Sequence, residues 1–459
     1  MNQKALRLYH ALPSECRSAV AALRGLQLRW WRYGGDSLQL VEQALERDHW
    51  SAEAWCSWRE ERLAFVLHRG ATSVPYYREH WRQRRLRGDG SAWDQLENWP
   101  ILEKAVVRNC PEAFVADDCD RSKMYREHTS GTTGTPLSLW WSRKTVRGWF
   151  ALMDARLRRW NGFTRADRWA ILGGQLVIPP AQNRPPFWVW NPALRQLYLS
   201  SFHISGGTAA KYAEAIKRYG VRYLLGYSSS LHLLAQEFLR LGIRGLPVEA
   251  VITNAEPLFD YQRLVIQEAF ACPVRETYGM AEIVGAASEC SGGRMHWWPE
   301  TGHMEMIKAD LSDGARTGAL VCTSLLNEDM PLIRYSVGDS ITLPVADGPC
   351  ECGRGLPAVA AIHGRTSDML IARDGRKVYW LNPVLYELPV REAQIVQESY
   401  DRIRVRYAPA IGFGEHTKRS IEERLRTRLG PVDLVFEEVE SIPRDAAGKF
   451  RPVVCRVAA

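Results

Sequence analysis

No apolar run in this 459-residue chain approaches the ~18 residues that cross a membrane, and Lys4, Arg7, Glu15 and Arg17 occupy the start, where a secretory signal needs an apolar stretch. Neither membrane insertion nor export is expected, and the reading is of a cytoplasmic protein. Internal repeats and low-complexity tracts are missing too, which sets aside solenoids and disordered scaffolds. No glycine run ends in Gly-Lys-Ser or Gly-Lys-Thr, so a Walker loop is excluded. What is left, at 46% hydrophobic and 24% charged residues, is an ordinary globular composition with room for two or three domains.

Sixty Lys and Arg against fifty-two Asp and Glu leave a net charge of +8, which suits an anionic small molecule as well as nucleic acid. The densest basic cluster, Trp81 to Arg87, has no recognition motif beside it and reads as a solvated helix end, so no nucleic-acid partner is expected. Ten cysteines without a signal peptide read as reduced thiols, most of them packing residues.

The stretch around which the chain is organised is His128 to Pro136, HTSGTTGTP. Gly131 and Gly134 can take backbone angles closed to other residues, so the loop can turn its N–H groups around an oxyanion. The hydroxyls of Ser130, Thr132, Thr133 and Thr135 add donors. Pro136 to Ser142 alternates as a strand does, not as a helix. Upstream, residues 1–125 read as mainly helical, with Trp30, Trp31, Trp50, Trp55, Trp58 and Trp81 as core packing.

Downstream, strands and helices alternate, including a helix from Ser228 capped by its own serine and one from Pro257 to Phe270 with proline in its first turn. The rhythm implies an α/β core with a largely parallel sheet. Past Gly364 to Asp368 the pattern changes to a small α+β unit, with strands at Ile403 to Tyr407 and Leu434 to Val439 and a helix near Ile421 to Leu429.

Several stretches fit the glycine loop: Asn254-Ala255-Glu256-Pro257, Tyr278-Gly279-Met280-Ala281-Glu282, Arg334 to Asp339 as the end of a strand, Gly364-Arg365-Thr366-Ser367-Asp368, and Ile442 to Arg451. In this order the chain resembles the adenylate-forming enzymes. Within them it resembles the phenylacetate-CoA ligase branch, and most of all the CapK-type, coenzyme F390 synthetase-related proteins. VPYYREHW, GYSSSLHLLA, NAEPL, MPLIRYSVGD, CGRGLP and IPRDAAGKFRPVV carry the match.

The resemblance implies an α/β fold: a large multi-layer adenylate-forming domain with a helical part at 1–125 and an ATP- and carboxylate-binding core at 126–365, followed by a small mobile α+β lid at 366–459. It also implies the chemistry. Attack of a carboxylate on the ATP α-phosphate gives an acyl-adenylate, from which an acceptor displaces AMP. Ser130 to Thr135 would hold the β- and γ-phosphates, Tyr278 would pack on adenine, and Asp339 would accept hydrogen bonds from the ribose. Asn254 to Pro257, Gly279 and Met280 would complete the nucleotide site. Glu282 would hold Mg²⁺, Arg365 would lie near ribose and phosphate, and Lys449 would reach in from the lid to neutralise developing charge.

Two departures from the pattern stand out: Leu137 follows Pro136 where many relatives carry Lys, and Ser367 replaces a common acidic hinge residue. The acid's pocket would draw on Gly173, Gly174, Tyr198, Phe202, Gly226 and Tyr227. His203 and His232 could be general bases, but they have no orienting carboxylate nearby in sequence and read as satisfied or exposed histidines.

Cys290, His296, Cys350 and Cys352 form a Cys₃His set. Spacing alone leaves zinc and buried thiols both open; similar stretches in the CapK-like branch point to structural zinc. The expected function is ATP- and Mg²⁺-dependent, AMP-forming activation of a small-molecule carboxylic acid, followed by transfer to coenzyme A. Transfer to an amine and a non-catalytic ligase-fold binding protein stay open as alternatives, and a homodimer is compatible with all three.

Overall fold

The computed structural model describes residues 3–129, 137–179, 181–312, 315–345, 348–365, 370–373, 377–378, 384–385, 388–444 and 450–457. The glycine loop from Ser130 to Pro136, Thr366 to Asp368 and Lys449 lie outside the described residues.

Six helices precede the first strand: α1 (Gln3–Ala11), α2 (Ser14–Arg32), α3 (Ser37–Arg47), α4 (Ala52–Ser73), α5 (Pro75–Leu86) and α6 (Lys104–Asn109). Ser51 caps α4 by accepting the Ala54 N–H at 3.2 Å. Pro75 lacks an N–H to continue that helix and opens α5 instead. Trp55, Trp81 and Trp99 are buried, as core packing requires. Trp30 is not: it is 55% exposed, with the Arg143 guanidinium 3.9 Å from its ring centre. It covers a charged side chain and contributes nothing to the core.

Strands β1 (Tyr125–His128) and β2 (Ser138–Trp141), which flank the glycine loop in sequence, pair antiparallel. Helix α7 (Arg143–Met153) follows and runs into a π-helical turn, Asp154–Arg158. The strands of the main sheet are β3 (Trp169–Gly173), β4 (Trp188–Asn191), β5 (Gln196–Ser200), β6 (Tyr223–Gly226), β7 (Ala250–Thr253), β8 (Val274–Gly279), β9 (Ala286–Glu289) and β10 (Met295–Trp297). Helices α8 (Ala209–Tyr219), α9 (Ser228–Arg240) and α10 (Asp260–Phe270) are the crossovers between them.

A second set of strands comprises β11 (Gly302–Ser312), β12 (Ala315–Ser324), β13 (Tyr335–Leu343), β14 (Ala358–Val359) and β15 (Ala361–Arg365). The nine-stranded sheet has the order β14-β10-β9-β8-β7-β6-β3-β5-β4. Its middle five strands, β5 to β8, are parallel, and both flanks are antiparallel. The parallel expectation therefore holds for the centre of the sheet and not for its flanks; short turns join β8, β9 and β10 and force antiparallel pairing. An antiparallel sheet, β11-β12-β13-β15, has no counterpart in the sequence reading.

Three local expectations are corrected. Helix α9 has Tyr227 at its N-cap, and Ser228 lies inside the first turn, where its hydroxyl donates to Pro257 O at 2.7 Å. Helix α10 begins at Asp260, because Ala255 at φ +63° turns the chain and Pro257 stays in that turn. Asp339 sits in the middle of β13, not at a strand end.

Beyond Arg365 come β16 (Leu370–Ile371), β17 (Lys377–Val378), β18 (Val390–Gln397), β19 (Arg402–Pro409), α11 (Glu415–Leu429), β20 (Asp433–Glu438) and β21 (Val453–Cys455). β18 to β21 form a mixed sheet in the order β20-β19-β18-β21, and α11 packs on it through Ile421, Leu425 and Leu429. Among the described residues no helix is long and apolar enough to cross a membrane.

Candidate active site

A cavity of about 1350 Å³ runs along one face of the central strands, walled by α2, the β1–β2 hairpin, α7, β13 and the segment Phe450 to Val453. At its hairpin side, Thr129 clamps the base of the glycine loop. Its N–H donates to Leu137 O at 3.1 Å, and its hydroxyl accepts the Leu137 N–H at 3.0 Å.

The end of β8 brings the expected nucleotide residues together. Tyr278 donates its phenol to Asp339 Oδ2 at 2.6 Å, joining β8 to β13, and both line the cavity with Gly279 and Met280. Burial, and then the Asp339 carboxylate, push the Tyr278 pKa well above its ordinary value, so the phenol stays a neutral donor. Gly338 at φ +86° aims Asp339 inward. Arg365 ends β15 directly opposite Asp339 in register.

Glu282 is 5% exposed and accepts at Oε1 from Lys104 Nζ (2.7 Å) and from the Tyr335 phenol (2.8 Å). Neither bond uses Oε2. Lys104, the first residue of α6, has no motif around it, and its approach to Glu282 is a tertiary fact with no local signal.

Asn254 to Pro257 also line the cavity. Asn254 Oδ1 is buried without a hydrogen bond among the described residues, which leaves it available to a ligand donor. Glu256 does something the sequence did not suggest. Its Oε2 accepts the Ser229 N–H at the start of α9 (3.0 Å), and its Oε1 accepts the Phe450 N–H (2.7 Å). The residue next to Lys449 is thereby fastened to the large domain, at the edge of the cavity.

Among the described residues, three of the five non-glycine residues at positive φ lie in or beside these motifs: Ala255 (+63°), Ile283 (+51°) and Arg334 (+49°). Left-handed backbone costs such residues ~1–3 kcal/mol each, and strain of that kind collects where a site over-determines the chain.

Of the residues expected to hold the acid, Gly173, Tyr198 and Tyr227 line the cavity; Gly174, Gly226 and Phe202 do not. Phe202 is exposed. Gly226 has another reason to be glycine, since a Cβ there would come 2.5 Å from Leu172 O on β3. His203 Nδ1 is 2.7 Å from Ser200 Oγ. His232 departs from the reading of a satisfied or exposed histidine: it is buried with no hydrogen bond at either ring nitrogen among the described residues, and burial pulls its pKa to about 4. It is therefore neutral.

The ligating atoms of Cys290, His296, Cys350 and Cys352 lie within 4.8 Å of one another, beside the Gly292 to Met295 stretch of the cavity lining. Cys290 Sγ is 3.7 Å from Cys350 Sγ, and Cys352 Sγ is 3.4 Å from His296 Nε2. A tetrahedron with metal–sulfur bonds of ~2.3 Å needs sulfur–sulfur edges of ~3.8 Å, so the spacing fits. His296 Nδ1 is 3.1 Å from Leu356 O, which fixes the tautomer with Nε2 as the free ligand.

The fold is that of the adenylate-forming CoA ligases. It superposes on 2-hydroxyisobutyryl-CoA ligase in its postadenylation state with a TM-score of 0.68, at 20% identity, covering 89% of this chain and 91% of the other. The chain is a relative of CapK and of the phenylacetate-CoA ligases. It is 25% identical to Protein CapK of Staphylococcus aureus over 82% of this chain and 84% of that protein. It is 27% identical to a phenylacetate-coenzyme A ligase of Thermus thermophilus over 86% and 95%. Residues 370–456 match the CapK C-terminal domain.

Proposed function

We propose that this protein activates a carboxylic acid with ATP as an acyl-adenylate, releasing pyrophosphate, and then transfers the acyl group to coenzyme A. The observation that carries this is the convergence of Tyr278, Asp339, Glu282 and the Phe450 backbone on one cavity. Asp339 is the acceptor for ribose hydroxyls, Tyr278 fixes its orientation and offers a face to adenine, and the Thr129-clamped loop cradles phosphate. Glu282 retains Oε2 as an oxygen donor that suits Mg²⁺, and that ion supplies neutralisation of phosphate charge when bound. Lys104 holds the Glu282 carboxylate in place, and Lys449 supplies a cation to the reacting centre from the C-terminal domain.

The four-residue Cys₃His cluster is proposed to hold structural zinc. It would staple the turn after β9, β10 and the loop before β14. Metal analysis should find about one zinc per chain, and Cys350→Ser with Cys352→Ser should remove it and lower the melting temperature.

The activity test is ATP–pyrophosphate exchange across a panel of aromatic, aliphatic and amino acids, followed by mass spectrometry of reactions given coenzyme A, amines or neither. A thioester is the expected product. An amide formed only with amines would replace coenzyme A as acceptor, and silence across the panel with no ATP binding by calorimetry would end the enzyme reading.

A further inference from the structure

The end of the cavity away from Tyr278 contains a cation with no carboxylate paired to it among the described residues. Arg32, the last residue of α2, lines it together with Trp31, Phe150, Arg158, Tyr198 and Tyr125. Its guanidinium lies 4.2 Å from the Phe150 ring centre, and it makes no hydrogen bond or ion pair among the described residues. The groups around it are the phenols of Tyr33, Tyr198 and Tyr125 and a second guanidinium, Arg158, and burial pulls its pKa down. Arg158 is already compensated: it donates to Asp154 Oδ1 at 2.6 Å and to the Tyr223 phenol at 2.7 Å. Glu127, a carboxylate of the same cavity wall, accepts the His128 N–H at 2.9 Å.

Three other enclosed arginines face carboxylates, and buried Arg17 is met by neutral acceptors, Leu12 O and Gln182 Oε1. Arg156 faces Asp48 and Glu300, Arg263 faces Glu289, and Arg334 faces Glu305. An arginine does not escape the cost of burial by losing its proton, so an unpaired one weakens the empty protein. Arg32 is therefore a charge whose partner arrives with a ligand.

Its position indicates which ligand. Tyr198 lies on β5, four strands from Tyr278 on β8, and strands are ~4.8 Å apart, so ~19 Å separates this corner from the nucleotide end. Together with the aromatic walls, that leaves the acyl part of the acid as the group that reaches it.

We propose that the acid activated here is a dicarboxylic acid whose second carboxylate is bound by Arg32, with the phenols of Tyr125 and Tyr198 as neutral donors beside it. This rests on the ligase reading for its chemistry but on the cavity alone for its binding. Arg32 then decides between dianionic and monoanionic acids, and the Phe150 ring beneath it keeps the fork flat for a bidentate contact.

The test is calorimetric titration of straight-chain and aromatic dicarboxylic acids, each beside its half-amide, into the full-length protein with a non-hydrolysable ATP analogue present. At least one diacid should bind ~10-fold or more tightly than its half-amide, as a desolvated charge pair implies. Arg32→Gln should erase that preference while leaving half-amide and ATP-analogue affinities unchanged, and Arg32→Lys should retain part of it. The melting temperature of unliganded Arg32→Gln should not fall, because the variant removes an uncompensated charge.

Equal affinity for every diacid and half-amide, or a preference that survives Arg32→Gln, would overturn the proposal. So would a fall in ATP-analogue affinity, which would assign Arg32 to phosphate. A diacid that binds through Arg32 but supports no pyrophosphate exchange would sustain the anion site and remove the ligase reading; exchange driven by monoacids alone would do the reverse.

Discussion

Glu276, on β8, is half-buried in the cavity wall and accepts the Leu258 N–H at 3.4 Å, and its carboxyl is pushed up to about 7, chiefly by desolvation. In the unfolded chain it titrates near 4.5. The folded state therefore keeps the proton to higher pH, and Glu276 favours folding fully below pH 4.5. That advantage is lost as pH rises toward 7 and is constant above. Glu276→Gln should flatten the decline of melting temperature between pH 4.5 and 7, as thermal denaturation across that range will test; an unchanged slope would mean Glu276 titrates normally.

Tyr278→Phe removes the donor that orients Asp339, and it should raise the KM for ATP in pyrophosphate exchange by ~10-fold while changing the acid's KM little. Such motif residues were legible because their spacing survives in one dimension. Lys104 and Arg32 were not, since their meaning comes from what stands opposite them across the cavity.

Among the elements, the turn of the π-helix carries the strongest structural commitment. Arg156 is fully buried, donating to Asp48 at 2.8 Å and to both oxygens of Glu300 at 2.7 and 2.8 Å. Arg156→Met would leave two buried carboxylates short of their partner, and it should cost ~3–5 kcal/mol in denaturant unfolding. A loss below ~1 kcal/mol, the range of a surface pair, would show that Arg47 and Arg354 suffice for these carboxylates.

Element identity was read well for β19, α11 and β20, expected at Ile403 to Tyr407, near Ile421 to Leu429 and at Leu434 to Val439. It was misread where tertiary contacts override a local signal. Ser228 looks like a cap but finds a better acceptor in Pro257 O. The β11-β12-β13-β15 sheet went unread because its strands, half-buried and interrupted by bulges, lack clean alternation.

At the scale of the whole molecule, the proposed division of labour places Lys449 on a domain that moves against the nucleotide site. Lys449→Ala should slow adenylation at least ~10²-fold, as loss of a preorganised charge does, with ATP binding much less changed. Acyl transfer started from chemically made acyl-adenylate should survive, because the lysine is rotated away by then. Assays of the separate half-reactions decide this, and equal damage to both would make the lid model wrong.

The hydrogen bond from the Phe450 N–H to Glu256 gives that motion a latch. On the proposed rotation this bond must open, while the Ser229 N–H keeps the other carboxylate oxygen and the positive end of α9 steadies its charge. The carboxylate is never stranded, so release carries no penalty beyond one charge-assisted bond, ~2 kcal/mol. A latch of that size favours the shut position by only about thirty to one. It is strong enough to hold the lysine's neighbour in register during the first half-reaction, and weak enough to yield without outside work when the second begins.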